Sequence, residues 1–372
     1  MTSKLSNICF YAKGKVAVKS LTKANYISTE NMLPNRGGVV NATTLPTIED
    51  TQGYCVGDVL VSNIRPYFKK IWFADSNGGC SNDVLVFRAK DGVDARYLYY
   101  VLADDSFFNY SNATSKGTKM PRGDKSAIMD YIIEEHSLIE QHRIADILSA
   151  LDKKIANNNA INDNLQQQAQ ALFDEMFASQ DNFESTTLGS VTNNIRDRIG
   201  TRCSTVLSAV NSGKLQPSDE YFTKRVYSKD TSNYIMVNEG DFAYNPARIN
   251  IGSIGINDLD VLGCVSPVYV VFSVDADYQS FFEFYFKSAI FRAETMLRAS
   301  GSVRQSLNYN DFALITLLYP DRKTAQKFNA LWLGYKATIK RLEQENKQLA
   351  ELRDTLLPKL MSGEIDVSDV EI

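Results

Sequence analysis

Basic side chains in this sequence fall together with amides in short loops. Asn63, Arg65, Lys69 and Lys70 surround Tyr67-Phe68, and Lys116, Lys119 and Arg122 flank Gly117. A second set follows later: Asn245, Arg248 and Asn250, then Arg298, Arg304 and Gln305. Arginine and lysine bridge O6 and N7 of guanine, and Asn or Gln grips N6 and N7 of adenine. Gly- and Ser-rich loops offer backbone contacts that position a duplex. Any one of these residues is equally readable as a solvated surface charge. Recurrence at equivalent places lifts the set. The candidate DNA-contacting residues are therefore Asn63, Arg65, Lys69, Lys70, Lys116, Lys119, Arg122, Asn245, Arg248, Asn250, Arg304 and Gln305.

Catalytic chemistry is hard to find. There is no Walker A sequence, G-x-G-x-x-G, H-E-x-x-H or zinc-deaminase pattern. Tyr244-Asn245-Pro246-Ala247 approaches the Asn-Pro-Pro-aromatic motif of amino methyltransferases, but the second proline and the following aromatic are absent. Pro320-Asp321 with Glu345-Asn346-Lys347 fits a loose nuclease expression. That chemistry needs carboxylates on adjacent strands, and Glu345 and Lys347 lie in a predicted long helix. Only His136 and His142 are present, too few for a His-rich metal site. The expectation is a non-catalytic chain with no metal or cofactor of its own.

The clusters recur because the chain repeats itself. Leu5 and Leu188 open the copies, Gly57-Asp58 matches Gly240-Asp241, and Arg65 matches Arg248. Gly79-Cys80 matches Gly263-Cys264, and the Ser115 to Lys119 loop matches Ser300 to Arg304. The period is 183–184 residues, far above the roughly 20–50 of solenoid units. It is a duplicated domain followed by a helix.

Val59-Leu60-Val61, Ile71-Trp72-Phe73 and Val84 to Phe87 read as strands, and Ala95 to Ala103 as a helix. Tyr234 to Val237 and Val268 to Phe272 read as strands of the second copy, and Tyr278 to Met296 as a helix. From about Leu138 to Phe177 there is neither Gly nor Pro. Ile144, Leu151, Leu165 and Leu172 share one heptad position, interrupted by Asn158, and Ile147 and Ile161 take the d-type place. Phe328, Tyr335, Leu342, Leu349 and Leu356 repeat this, with Leu331 and Leu352 at d. Such a pattern predicts two helices forming a coiled coil. The expected fold class is α+β: two similar α/β domains related by pseudo-two-fold symmetry, each followed by a long helix. The expected boundaries are 1–137, 138–180, 181–320 and 321–372.

Net charge is −4, and neither half is basic: residues 1–183 carry 19 Lys/Arg against 21 Asp/Glu, the rest 21 against 23. Any nucleic-acid surface must therefore be a local patch. No stretch approaches the ~18 apolar residues of a membrane span, and the N-terminus lacks a signal-peptide core. Five scattered cysteines without C-x-x-C read as reduced thiols of a cytoplasmic protein.

Taken in order and duplicated, these motifs resemble the DNA-specificity subunits of type I restriction–modification systems. The likeness rests on Leu138-Ile139-Glu140-Gln141-His142-Arg143-Ile144, on the tail Leu356-Leu357-Pro358-Lys359-Leu360-Met361-Ser362-Gly363-Glu364-Ile365, on Gly57-Asp58-Val59-Leu60, Lys116-Gly117-Thr118-Lys119-Met120, Gly240 to Pro246 and Gly301 to Gln305. It covers nearly the whole chain. It implies two target-recognition domains on antiparallel helices, with double-stranded DNA, two methyltransferase subunits and restriction (translocase–nuclease) subunits as partners. S-adenosylmethionine, ATP and Mg²⁺ would be bound by those partners. Two unlike domains predict an asymmetric, bipartite target with the helix pair as ruler. A stand-alone DNA-binding protein or a coiled-coil scaffold is the alternative.

Overall fold

The structure is a computed structural model that describes residues 1–178, 183–202, 204–210, 212–222, 224–298, 306–368 and 370. Two compact units emerge: Met1–Asn159 with Glu343–Ile372, and Ala160–Leu342. The four-segment division made from sequence gives each long helix its own segment. The compact units instead divide each helix, because each end of a helix packs on a different core.

In the first unit, one antiparallel sheet runs in the order Cys9–Tyr11, Val84–Ala89, Val59–Ser62, Ile71–Phe73. The apolar run Val59-Leu60-Val61 is buried on both faces. Val59 and Val61 meet the helix Ala95–Ala103 through a core containing Phe87, Tyr97 and Phe107. Leu60 points the other way, toward Ile27, Tyr54 and Cys80 of a second sheet. That sheet is ordered Lys15–Ala17, Asp50–Tyr54, Gly78–Cys80, Tyr26–Ile27. Alternating side chains of a strand take opposite faces, so one continuous apolar strand serves two cores.

The second unit repeats the larger sheet as Thr192–Ile195, Val270–Val274, Phe242–Tyr244, Ile254–Ile256. The smaller sheet diverges. Lys15–Ala17 pairs with Asp50–Tyr54 as a strand in the first unit; at the matching place Arg198 bridges Ile235, and Met236 N to Asp197 O at 2.7 Å and Ile199 N to Tyr234 O at 2.8 Å hold the segments together without a named strand. Lys214–Pro217 has instead been added to Thr205–Val210, on the opposite side of that sheet. Other bonds repeat closely. Leu5 N donates to Tyr131 O at 2.7 Å and Leu188 N to Ile315 O at 2.9 Å. Asp58 and Asp241 each accept a backbone N–H from three residues earlier, at 2.8 Å in both.

Two expected elements differ. The stretch expected as one helix from Tyr278 to Met296 is broken into Gln279–Tyr285 and Ala289–Arg298. Ser288 restarts the helix by accepting the N–H of Phe291 at 3.1 Å, as an N-cap does. The strand expected from Val268 begins at Val270, because Pro267 sits in a turn that Tyr269 N closes onto Ser266 O.

The long helices are Leu138–Ala178 and Arg322–Met361. Ser137 and Glu140 cap the first reciprocally, at 2.7 and 3.3 Å, a capping box. Within the first unit their paired segments run antiparallel: Asp152 meets Arg353 at 2.8 Å, and Asn158 meets Asn346 at 2.9 Å. Within the second unit Phe173 packs on Phe328, 5.4 Å between ring centroids, and Gln168 meets Tyr335. The pairing seam corrects the heptad assignment. Ile161 and Leu352 are exposed, while Leu148, Asn162, Ala169, Trp332, Ile339 and Leu360 are buried. The second stripe thus lies four residues after the first, not three, and polar Asn158 and Asn162 sit inside it.

Candidate nucleic-acid interface

The structure brings the two basic loops of the first unit into one surface. Arg65 N donates to Pro121 O at 2.8 Å, Gly123 N to Asn63 O at 3.1 Å, and Lys116 and Arg122 exchange backbone bonds at 2.9 Å. Gly123 permits this approach: a Cβ there would stand 2.8 Å from Asn63 Oδ1 and Ile128 Cδ1. In the second unit Leu307 N donates to Pro246 O, also at 3.1 Å. These are the same two positions displaced by one repeat.

The candidate side chains divide by environment. Arg65 is half-buried, and its Nε has no hydrogen-bond partner among the described residues. The Oδ1 of buried Asn63 is likewise unpartnered. Lys119 is exposed and makes no ion pair among the described residues. Lys116 reaches Asp124 at 2.5 Å and Arg122 reaches Asp83 at 3.0 Å. The Asp124 carboxylate, beside Lys116, is held below its ordinary range, and the Lys116 ammonium is correspondingly raised. Lys69 is tied to Asp105 at 2.8 Å. Lys70 turns inward: its ammonium donates to Thr29 O at 2.6 Å and lies 5.9 Å from the Phe68 ring centre. Burial pushes its pKa below the ordinary lysine value.

In the second unit Arg248 is exposed, with no ion pair among the described residues, and Asn250 is half-buried. Asn245 uses its Oδ1 to accept the N–H of Ala247 at 3.1 Å, closing its own turn. Arg304 and Gln305 lie outside the described residues, as do residues 300–303 of the same loop.

Sequence reading missed the third wall of the first surface. Asn35 N donates to Phe68 O at 2.8 Å and Arg36 N to Lys69 O at 2.9 Å. Arg36 also pairs with Asp105. Pro34-Asn35-Arg36-Gly37-Gly38 is a strong turn signal that could have drawn attention to it. The catalytic near-misses do not assemble. Tyr244 is a fully buried strand residue, and Glu345 and Lys347 lie inside a helix. His136 is engaged by Tyr97 OH at 2.9 Å, and His142 by Asp94 at 3.3 Å. No cluster of three or more metal-type ligands occurs among the described residues, and none of their helices is long and apolar enough to cross a membrane. Four described cysteines are free; Cys203 lies outside the described residues.

Fold and loops together define a duplicated protein: two α+β domains with one backbone contact between loops repeated, Gly123 N to Asn63 O and Leu307 N to Pro246 O, and each followed by a long helix. Residues 1–167 match the family described as the type I restriction modification DNA specificity domain. The chain as a whole resembles the specificity subunits of type I restriction–modification systems. It is 23% identical, over 312 residues, to the specificity subunit of the type I restriction enzyme MjaIX of Methanocaldococcus jannaschii, covering 76% of this chain and 71% of that one. A shorter match to the EcoDI specificity subunit of Escherichia coli is 25% identical over 91 residues, 24% of this chain and 20% of that one. The fold is that of the S subunit of a type I system from M. genitalium: the TM-score is 0.61 at 17% identity, covering 99% of this chain and 96% of that one.

Proposed function

We propose that this chain is the DNA-reading subunit of a type I complex, with one half-site read by each unit. The observation that carries this is the duplicated meeting of loops, Gly123 on Asn63 and Leu307 on Pro246, at 3.1 Å in both. Each meeting stands beside an arginine at the same repeat position, Arg65 and Arg248. Unlike loop sequences on like frames read unlike half-sites, so the target is asymmetric and bipartite. Arg65, with an uncommitted buried Nε, suits a base edge. Lys119 and exposed Arg248 suit phosphates or bases, and Lys116 and Arg122 suit phosphates once their carboxylate partners yield.

The chain itself is non-catalytic in this reading. Two adenine methyltransferase subunits dock on the two repeats, restriction subunits join them, and S-adenosylmethionine, ATP and Mg²⁺ are bound by those partners. Sequencing the methylated bases of a host that expresses this chain with its neighbouring methyltransferase gene tests it, beside a deletion of residues 184–320. A split, asymmetric methyladenine motif that disappears or changes in the deletion is the expected result. Absence of any motif in both strains would favour the scaffold alternative.

A further inference from the structure

Each unit carries the same short helical turn next to its reading arginine. Pro66–Phe68 and Ile249–Ile251 are 3₁₀ turns one repeat apart. Their bonds match: Phe68 N to Arg65 O at 3.0 Å and Ile251 N to Arg248 O at 3.1 Å, then Lys69 N to Pro66 O at 2.9 Å and Gly252 N to Ile249 O at 3.0 Å. The first residue of each turn, Pro66 or Ile249, is buried and anchors it. The third is apolar and exposed: Phe68 at 38% and Ile251 at 60%. Beside Phe68, Tyr67 is 49% exposed, with its ring 4.7 Å away.

A single exposed apolar residue needs no explanation. The same one at the tip of the same anchored turn in both repeats does. Cations lie beside it in sequence: Arg65 and Lys69 flank one turn, and Arg248 precedes the other. The backbone of the first turn is also held under strain. The described non-glycine residues with left-handed φ are Asn35, Arg36, Arg65 and Lys69, and all four belong to this turn or hydrogen-bond to it. Such strain persists where the surrounding structure over-determines it, and it concentrates at binding sites.

We infer that Phe68 and Ile251 are wedges that enter between adjacent base pairs, one in each half-site, beside the contact that Arg65 or Arg248 makes. This rests on the DNA-reading proposal above. Apolar wedges of these types part base steps and kink the duplex, and Tyr67 would add a stacking face in the first half-site alone.

The test uses the full chain assembled with its methyltransferase subunits, on duplexes carrying the methylated motif with 2-aminopurine placed at successive steps. The wild-type complex should brighten one step in each half-site. Phe68→Ala should abolish the signal in one half-site only and weaken binding at least about tenfold, and Ile251→Ala should do the same in the other. Phe68→Leu should retain most of the signal. Selective binding by the wild type with no brightened step would overturn the wedge and leave the reading function standing. No selective binding by the wild type would sink the reading function and the wedge with it. Loss of methyltransferase subunits from the Phe68→Ala complex would make the turn a protein contact, and would also overturn the proposal.

Discussion

Arg65 and Arg248 hold one repeat position in different environments. Arg65 is half-buried in a left-handed backbone with its Nε unpartnered, whereas Arg248 is exposed with φ of −137°. Arg65→Ala is expected to relax discrimination at one position of one half-site, by about 1–3 kcal/mol. Arg248→Ala should act on the other half-site alone. Should either residue touch only phosphate, the loss would be uniform across sequences and the salt slope would fall by about one. Filter binding against matched and mismatched duplexes over a salt series separates these outcomes. Unchanged affinity in both variants would remove these loops from the DNA surface. Four residues on, Lys69 adopts φ of 50° where the second repeat has Gly252 at 84°. A left-handed backbone costs an L-residue roughly 1–2 kcal/mol and glycine almost nothing. Lys69→Gly should therefore not lower the melting temperature, whereas Gly252→Ala should cost about 1 kcal/mol.

Among the elements, the long helices show how a polar seam hides from a pattern of apolar residues. Ile161 is the better hydrophobe, yet Asn162 next to it is buried and Ile161 is exposed. Asn158 donates to the Glu345 carboxylate at 3.0 Å and the Asn346 amide at 2.9 Å, so the helices meet there through polar groups. A charged residue at one shared repeat position ties each helix to its domain. In the first unit Asp152 accepts from Tyr100 OH at 2.6 Å and from Arg353. In the second, the matching residue is Lys336, which contacts Glu283 and Asp258, both at 3.1 Å. Burial alone would raise the Glu283 carboxyl, but Lys336, Lys287 and the Trp332 indole outweigh it and leave it below its ordinary 4.5. A depressed carboxyl stabilises the fold fully above its unfolded pKa, and that contribution is lost as pH falls through the lower folded value. The chain should thus lose thermal stability below about pH 4.5, and Glu283→Gln should flatten that part of the profile. Lys336→Ala leaves the carboxylate buried beside fewer charges and should cost about 3–5 kcal/mol at neutral pH. Melting curves from pH 7 to 3 check both. A profile unaltered by Glu283→Gln would assign the acid transition to another group.

For the whole molecule, duplication provides two like-framed units on one chain, and divergence makes them unlike. The added hairpin strand Lys214–Pro217, the turn tips Tyr67-Phe68 against Asn250-Ile251, and the different ion clusters on the helices all break the symmetry. If the helices set the spacing of the half-sites, inserting four residues into each lengthens it by about 6 Å, close to two base pairs at 3.4 Å of rise. Methylated-base sequencing should then report a spacer longer by about two base pairs. A spacer that stays fixed would show that the helices do not measure it.

Much of this was legible in sequence because it depends on period and local chemistry. The repeat, the strands Val59–Ser62 and Ile71–Phe73, the helix Ala95–Ala103 and the two long helices follow from apolar spacing and from the positions of glycine and proline. The near-equal charge of the two halves also pointed to local patches. Tertiary structure alone decided which side chains face one another. It placed the Asn35-Arg36 turn against the Phe68 tip, drew Lys70 inward to Thr29, committed Lys116 and Arg122 to carboxylates, and put Asn162 in the seam in place of Ile161. Each of these depends on contacts between residues distant in the chain or on another element, and composition and spacing along one segment carry no record of what packs across from it.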